Sequence, residues 1–125
     1  MIAGVADTHS ALWFLVAKDF FEKAAAAGQK IALAPISLAE VVYLIERDRI
    51  PASAFADLRD ALSNPSHVLE EAPFTVKVVE AMQHVPRDAV PDMPDRIIAA
   101  TAVYLGVPVV SRDAEIRASN VRTVW

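Results

Sequence analysis

Residues 94–113, PDRIIAATAVYLGVPVVSRD, decide the fold class. Pro94 suits the first turn of a helix, because its ring presets the helical φ and its missing N–H has no partner to lose there. An apolar stretch follows to Leu105, and Gly106 supplies the usual stop. Val107 to Val110 is then a short run of the buried-strand type, and Ser111, Arg112 and Asp113 lie beyond it.

The same grammar recurs upstream. Ile2 to Ala6 reads as a strand ending at Asp7. A helix carrying Leu12, Trp13, Leu15 and Val16 follows, then another over about 18–27, stopped by Gly28. Ile31 to Ala34 is a strand, after which Pro35 breaks the pattern. Leu38, Val41, Val42 and Ile45 have helical spacing and predict a helix from about Ser37 to Arg47. Pro51 opens a further helix over about 52–62, and Val68 and Leu69 predict a short strand. Thr75 to about His84 reads as helix, Arg87 to Met93 as a polar loop, and Val121 to Trp125 as a last short strand. Strands alternating with helices imply an α/β fold with a mostly parallel sheet. At 125 residues the chain suits one domain over 1–125.

Composition excludes several classes of function. Hydrophobic residues make up 54% and charged residues 22%, which supports a packed core rather than disorder. With no cysteine, disulfides, thiolate-bound zinc and thiol catalysis are ruled out, and a reducing cytoplasm is the expected setting. The run Ala11 to Ala17 is too short to span a bilayer, Ile97 to Val110 is interrupted by Thr101, Gly106 and Pro108, and Asp7 comes too early for an export signal, so no membrane partner is expected. A formal charge of -4 argues against a general nucleic-acid binder but allows a nuclease whose acids gather around a metal.

Four acids stand in telling places. Asp7 and Asp113 lie just beyond apolar strands, where sites form in open parallel sheets. Glu40 and Asp95 start helices, which begin on that same side. Each also has an ordinary explanation. Ser37 and Glu40 form S-x-x-E, a capping box, while Asp92 and Asp95 suit an N-cap and a first-turn acid. Asp7 and Asp113 suit turns. Jointly, carboxylates sharing one crevice repel one another, and a hard divalent cation such as Mg²⁺ removes that conflict. Such a site can activate water against a phosphodiester.

These residues carry a resemblance. Asp7-Thr8-His9-Ser10-Ala11-Leu12-Trp13 resembles the D-T-H-x-L-L-W opening of one branch of VapC-like PIN proteins. Ser37-Leu38-Ala39-Glu40, Pro94-Asp95-Arg96-Ile97-Ile98-Ala99-Ala100-Thr101-Ala102, Val109-Val110-Ser111-Arg112-Asp113 and Val121-Arg122-Thr123-Val124-Trp125 are similar, in order, to its later segments. The resemblance implies a PIN-like doubly wound fold with a central mostly parallel sheet flanked by helices. It implies a Mg²⁺- or Mn²⁺-dependent endoribonuclease, a hydrolase of single-stranded RNA, acting as the toxin of a type II toxin–antitoxin pair. Asp7, Asp95 and Asp113 would hold the metal, with Glu40 holding a second ion or orienting the attacking water. Asp92 is peripheral in this scheme, and Thr8 and Ser111 would support the acids through hydrogen bonds. A cognate antitoxin and a homodimer are the implied partners. The stretch from Leu15 to Gly28 is more apolar than in relatives. The rival reading is a catalytically inactive PIN-like module that binds protein or RNA, since fold does not fix function.

Other residues attract weaker readings. His9 sits close enough to Asp7 to touch substrate, whereas His67 and His84 read as surface residues. Arg96 and Arg112 adjoin acids and suit either RNA phosphates or local salt bridges. Trp13, Phe14, Phe20 and Phe21 have the spacing of packing residues rather than of a base-stacking platform. A phosphoacceptor receiver would want paired acids after the first strand and a late lysine, and no lysine follows Lys77. Three glycines form no phosphate loop, and no nucleophile elbow is present.

Overall fold

The structure is a computed structural model that describes residues 1–12, 18–111, 116 and 121–124. Five strands form one sheet: β1 (Ile2–Ala6), β2 (Lys30–Leu33), β3 (Leu69–Glu71), β4 (Val109–Val110) and β5 (Thr123–Val124). Their spatial order is β3-β2-β1-β4-β5, and every neighbouring pair is parallel. The chain builds outward from β1 on one side through β2 and β3, then returns to β1's other flank with β4. The order therefore reverses between β1 and β4, the place where open parallel sheets leave a crevice at the strands' carboxyl ends.

Helices α1 (Thr8–Leu12), α2 (Lys18–Ala26), α3 (Pro35–Glu46), α4 (Ser53–Ser63), α5 (Val76–Ala81) and α6 (Met93–Leu105) connect the strands, with a 3-10 turn at Met82–His84. Side chains alternate across the sheet as the pleat requires. Val5, Ala32 and Val109 join a core with Val78 of α5 and Ile98, Ala99 and Ala102 of α6. Ala6, Ile31, Leu33 and Val110 face the opposite core with Ala11, Phe21 and Leu58. Both faces are covered, so the strands read as continuous apolar runs.

α6 is buried on nearly every side, from Ile97 through Ala102. Its alanines let neighbouring elements approach closely, and the buried Thr101 hydroxyl donates to the Ile97 carbonyl at 2.8 Å. Gly106 ends the helix at φ 69, with the Val107 N–H donating to the Ala102 carbonyl. Gly28 closes α2 as the sequence predicts.

Two expectations change. Pro35 does not interrupt regular structure; it opens α3, directly after Ala34 at the helix N-cap. That moves Ser37 inside the helix, so the S-x-x-E capping box does not form: among the described residues no side chain caps α3, and the buried Ser37 Oγ has no hydrogen-bond partner. Arg96 meets no carboxylate among the described residues. Its Nε donates to the Val85 carbonyl at 2.9 Å and its Nη2 to the Met82 carbonyl at 3.1 Å, which ties the start of α6 to the segment before it. Trp13 and Phe14, Arg112 and Asp113 lie outside the described residues, while Phe21 is core and Phe20 half-buried. Among the described residues, no helix is long and apolar enough to cross a membrane.

Gly4 marks a close approach of β1 to its neighbours. A Cβ there would lie 3.2 Å from the Pro108 carbonyl oxygen and from Val110 Cγ2, and 3.3 Å from Phe20 Cε1. Gly4→Ala should therefore destabilise the fold by about 1–3 kcal/mol through overpacking. Gly106→Ala meets open space and should cost only the left-handed backbone penalty, about 1–2 kcal/mol. Urea unfolding with asparagine at each position separates the causes: Gly106→Asn should recover part of its loss, because Asn tolerates that backbone, whereas Gly4→Asn should be worse than Gly4→Ala. Wild-type stability in Gly4→Ala would contradict the packing argument.

Candidate active site

The end of β1 delivers Asp7 to the β1–β4 switch. Its backbone N–H donates to the Val110 carbonyl at 3.2 Å, which holds the residue in line with the sheet. Its carbonyl accepts from Ala11 N at 3.0 Å, and its Oδ1 accepts from Ser10 N at 2.8 Å. Asp7 is thus the N-cap of α1, the ordinary role its position allows. That role does not exhaust it. Ser111, just past β4 and fully buried, donates its hydroxyl to Asp7 Oδ2 at 2.5 Å. The carboxylate is only 5% exposed, and each of its oxygens accepts one hydrogen bond, with lone pairs to spare for a cation.

Glu40 reaches the same neighbourhood from α3. The buried hydroxyl of Thr8 donates to Glu40 Oε1 at 2.5 Å, a bond spanning 32 residues of chain. Because α3 starts at Pro35, Glu40 lies in its second turn and is available to the crevice rather than consumed by a cap. Burial is the main cause pushing the Glu40 carboxyl above its ordinary 4.5. The Thr8 hydrogen bond opposes this, the negative charge of Asp92 adds to it, His9 opposes it, and Asp7 adds to it.

Asp92 and Asp95 come together at the start of α6. Asp92 is the N-cap, and its carboxylate accepts from Asp95 N at 3.3 Å. Asp95 occupies the first turn and is half-buried. The structure thus links Asp7 with Glu40 through Thr8, and brings the field of Asp92 onto Glu40. Asp92, set aside as peripheral in the sequence, acts on Glu40 more strongly than Asp7 does. Its N-cap position was the legible signal, and the proximity of α3 to α6 was not. Asp113 lies outside the described residues. Among the described residues no three His, Cys, Asp or Glu side chains form a metal-holding group.

As donors, these residues suit a hard divalent cation. They offer oxygen ligands, Glu40 Oε2 has no hydrogen-bond partner among the described residues, and the like charges around Glu40 raise its proton affinity in a way that a cation would relieve. His9 is exposed and acts electrostatically on Glu40; His67 is half-buried and accepts from Leu69 N through Nδ1 at 3.0 Å; His84 is exposed. A mostly apolar recess of about 540 Å³, lined by Leu12, Phe21, Ile50, Leu58 and Leu69 among others, contains none of Asp7, Glu40 and Asp95.

The raised Glu40 carboxyl makes a prediction in metal-free buffer. A carboxyl whose folded value exceeds its unfolded value adds stability below the unfolded value and loses it as pH rises through the folded one. Glu40→Gln should therefore gain stability over wild type as pH climbs past 4.5, and the gain should vanish at lower pH. Chemical denaturation across this range measures the difference, and a gain independent of pH would contradict the assigned cause.

Three solved structures share the fold. VapBC2 from Rickettsia felis, bound to a DNA fragment from its promoter, matches at TM-score 0.74 and 18% identity, over 99% of this chain and 98% of the other. A toxin–antitoxin complex from Klebsiella pneumoniae matches at 0.63 and 21%, over 98% and 97%. FitAcB from Neisseria gonorrhoeae matches at 0.61 and 21%, over 100% and 97%. No curated protein matches the chain significantly. The PIN domain family model matches residues 5–120, and with the all-parallel sheet and the acids at its switch point this establishes that the chain belongs to the PIN domain family.

Proposed function

We propose that this protein is a metal-dependent endoribonuclease and the toxin of a toxin–antitoxin pair, with the whole chain forming one PIN-like unit. The observation that carries the nuclease reading is the pair of hydrogen bonds Ser111 to Asp7 and Thr8 to Glu40, which gathers the ends of β1 and β4 and the second turn of α3 at one crevice. A solvated acidic surface needs no such buried donors, whereas a ligand site does.

Asp7, Asp95 and Asp113 would hold Mg²⁺ or Mn²⁺ between them, and Glu40 would hold a second ion or orient the attacking water. When bound, the ion supplies Lewis-acid stabilisation of charge on the phosphodiester and lowers the pKa of water. The protein's own part is to keep the carboxylates in place. Ser111 and the Ser10 N–H hold Asp7 by hydrogen bonds, as Thr8 holds Glu40. Glu40, with one oxygen held and the other without a partner, is suited to accept a proton from the water as the P–O bond to the ribose oxygen breaks.

Likeness of fold to toxin–antitoxin complexes supports an antitoxin partner, whose C-terminal segment would lie in the acidic crevice, an inserted arginine matching its charge. Homodimerisation finds support in the apolar side chains exposed on three helices, including Tyr43 on α3, Val79 on α5 and Tyr104 on α6.

Purified protein should cleave single-stranded RNA with Mg²⁺ or Mn²⁺ and stop on chelation. Asp7→Asn and Asp95→Asn should each lose about a hundredfold or more in rate while remaining folded by circular dichroism. Unchanged cleavage in both variants refutes the assignment, and a folded wild type that binds no divalent ion leaves the non-cutting module. In cells, overexpression should arrest growth, and co-expression of the small protein encoded beside it should restore growth. Harmless overexpression of active enzyme would count against a toxin.

A further inference from the structure

We propose that Thr8 is a positioning residue for Glu40, holding that carboxylate inside the crevice against the repulsion of its neighbours. The inference rests on the nuclease reading above.

Glu40 is pressed outward by its surroundings. Asp92 and Asp7 both place negative charge on it, and α3 offers nothing in return: the Ser37 hydroxyl donates no hydrogen bond to it. Among the described residues Glu40 has no ion-pair partner. A glutamate with three free torsions in that field turns toward solvent, where its charge is best hydrated. The one hydrogen bond recorded against this is that of Thr8 Oγ1 to Oε1.

Thr8 is equipped for the task. It is 3% exposed, its β-branch restricts χ1, and it sits immediately after Asp7 at the start of α1. A threonine at a helix start ordinarily spends its hydroxyl on nearby backbone or water, yet this one donates to a side chain of α3. Oε1 is held and Oε2 is left without a partner among the described residues. Adjacent residues thereby fix two acids: Asp7 directly, and Glu40 through Thr8. The Asp7–Glu40 relation is then tied through the single peptide step from Asp7 to Thr8, in addition to the packing of α3.

The test compares Thr8→Val, which keeps shape and removes the donor, with Thr8→Ser, which keeps the donor, each alone and combined with Glu40→Gln in the full chain. Thr8→Val should weaken Mn²⁺ binding in calorimetry by about tenfold and lower kcat on RNA by about ten- to a hundredfold, with KM unchanged. Thr8→Ser should restore both to within about threefold, and in the Glu40→Gln background Thr8→Val should add no further loss. A full Thr8→Val loss persisting beside Glu40→Gln, or a Thr8→Ser variant as impaired as Thr8→Val, would mean the residue serves the fold and not Glu40. Wild-type Mn²⁺ affinity and kcat in Thr8→Val overturn this proposal alone. A wild type that neither binds Mn²⁺ nor cleaves RNA overturns the nuclease reading, and the positioning role falls with it.

Discussion

A carboxylate that ends the central strand of a parallel sheet must be supplied with donors or given up as a charge. Asp7 is that carboxylate, and much of the local structure is arranged to supply it. The first turn of α1 provides the Ser10 N–H, and the residue after β4 provides the Ser111 hydroxyl. Each donor comes from a different flank, so Asp7 is also the point at which α1, β1 and β4 are pinned together. The reversal of strand order beside it prevents a crossover connection from covering the crevice.

The same physics extends to the other acids. Asp92 and Asp7 both act with their charge on the partly buried Glu40, and the Thr8 hydrogen bond relieves only part of that. Site electrostatics and net charge can diverge here. A chain with a formal charge of -4 is a poor general binder of RNA, yet a divalent ion held as proposed would let phosphate oxygens complete its shell. Binding of RNA would then depend on the ion, in contrast to a surface of basic residues.

Legibility of the fold in the sequence followed local chemistry. Gly28 and Gly106 end helices where only a left-handed residue serves, and the short apolar runs at Ile2, Ile31 and Val109 became neighbouring strands covered on both faces. The capping box at Ser37 misled because S-x-x-E describes residue types and not register. Pro35 starts the helix two residues earlier, and in an α-helix that shift turns a cap into an interior position. For Arg96, beside Asp95 in the chain, the sequence left RNA phosphates and a local salt bridge both open; its guanidinium reaches back to the Met82 and Val85 carbonyls, partners more than ten residues away. Asp92 reads from the sequence as an N-cap peripheral to the site, since its effect on Glu40 depends on how α3 and α6 pack, which spacing along the chain does not encode. Thr8 and Ser111 were legible as helpers, and only the coordinates assign Thr8 to Glu40 and Ser111 to Asp7.

If Asp7, Asp95 and Asp113 hold a divalent ion with Glu40 beside it, as proposed, that ion sits beyond the carboxyl end of β1. Paramagnetic broadening of backbone amide signals by substoichiometric Mn²⁺ reads this directly, because the effect falls steeply with distance from the ion. The signals of Asp7, Thr8, Glu40, Asp95 and Ser111 should fade together, ahead of the rest of the chain, and recover on adding a chelator. Broadening that starts at the acids of β3, Glu70 and Glu71, while Asp7 and Asp95 stay sharp would contradict it.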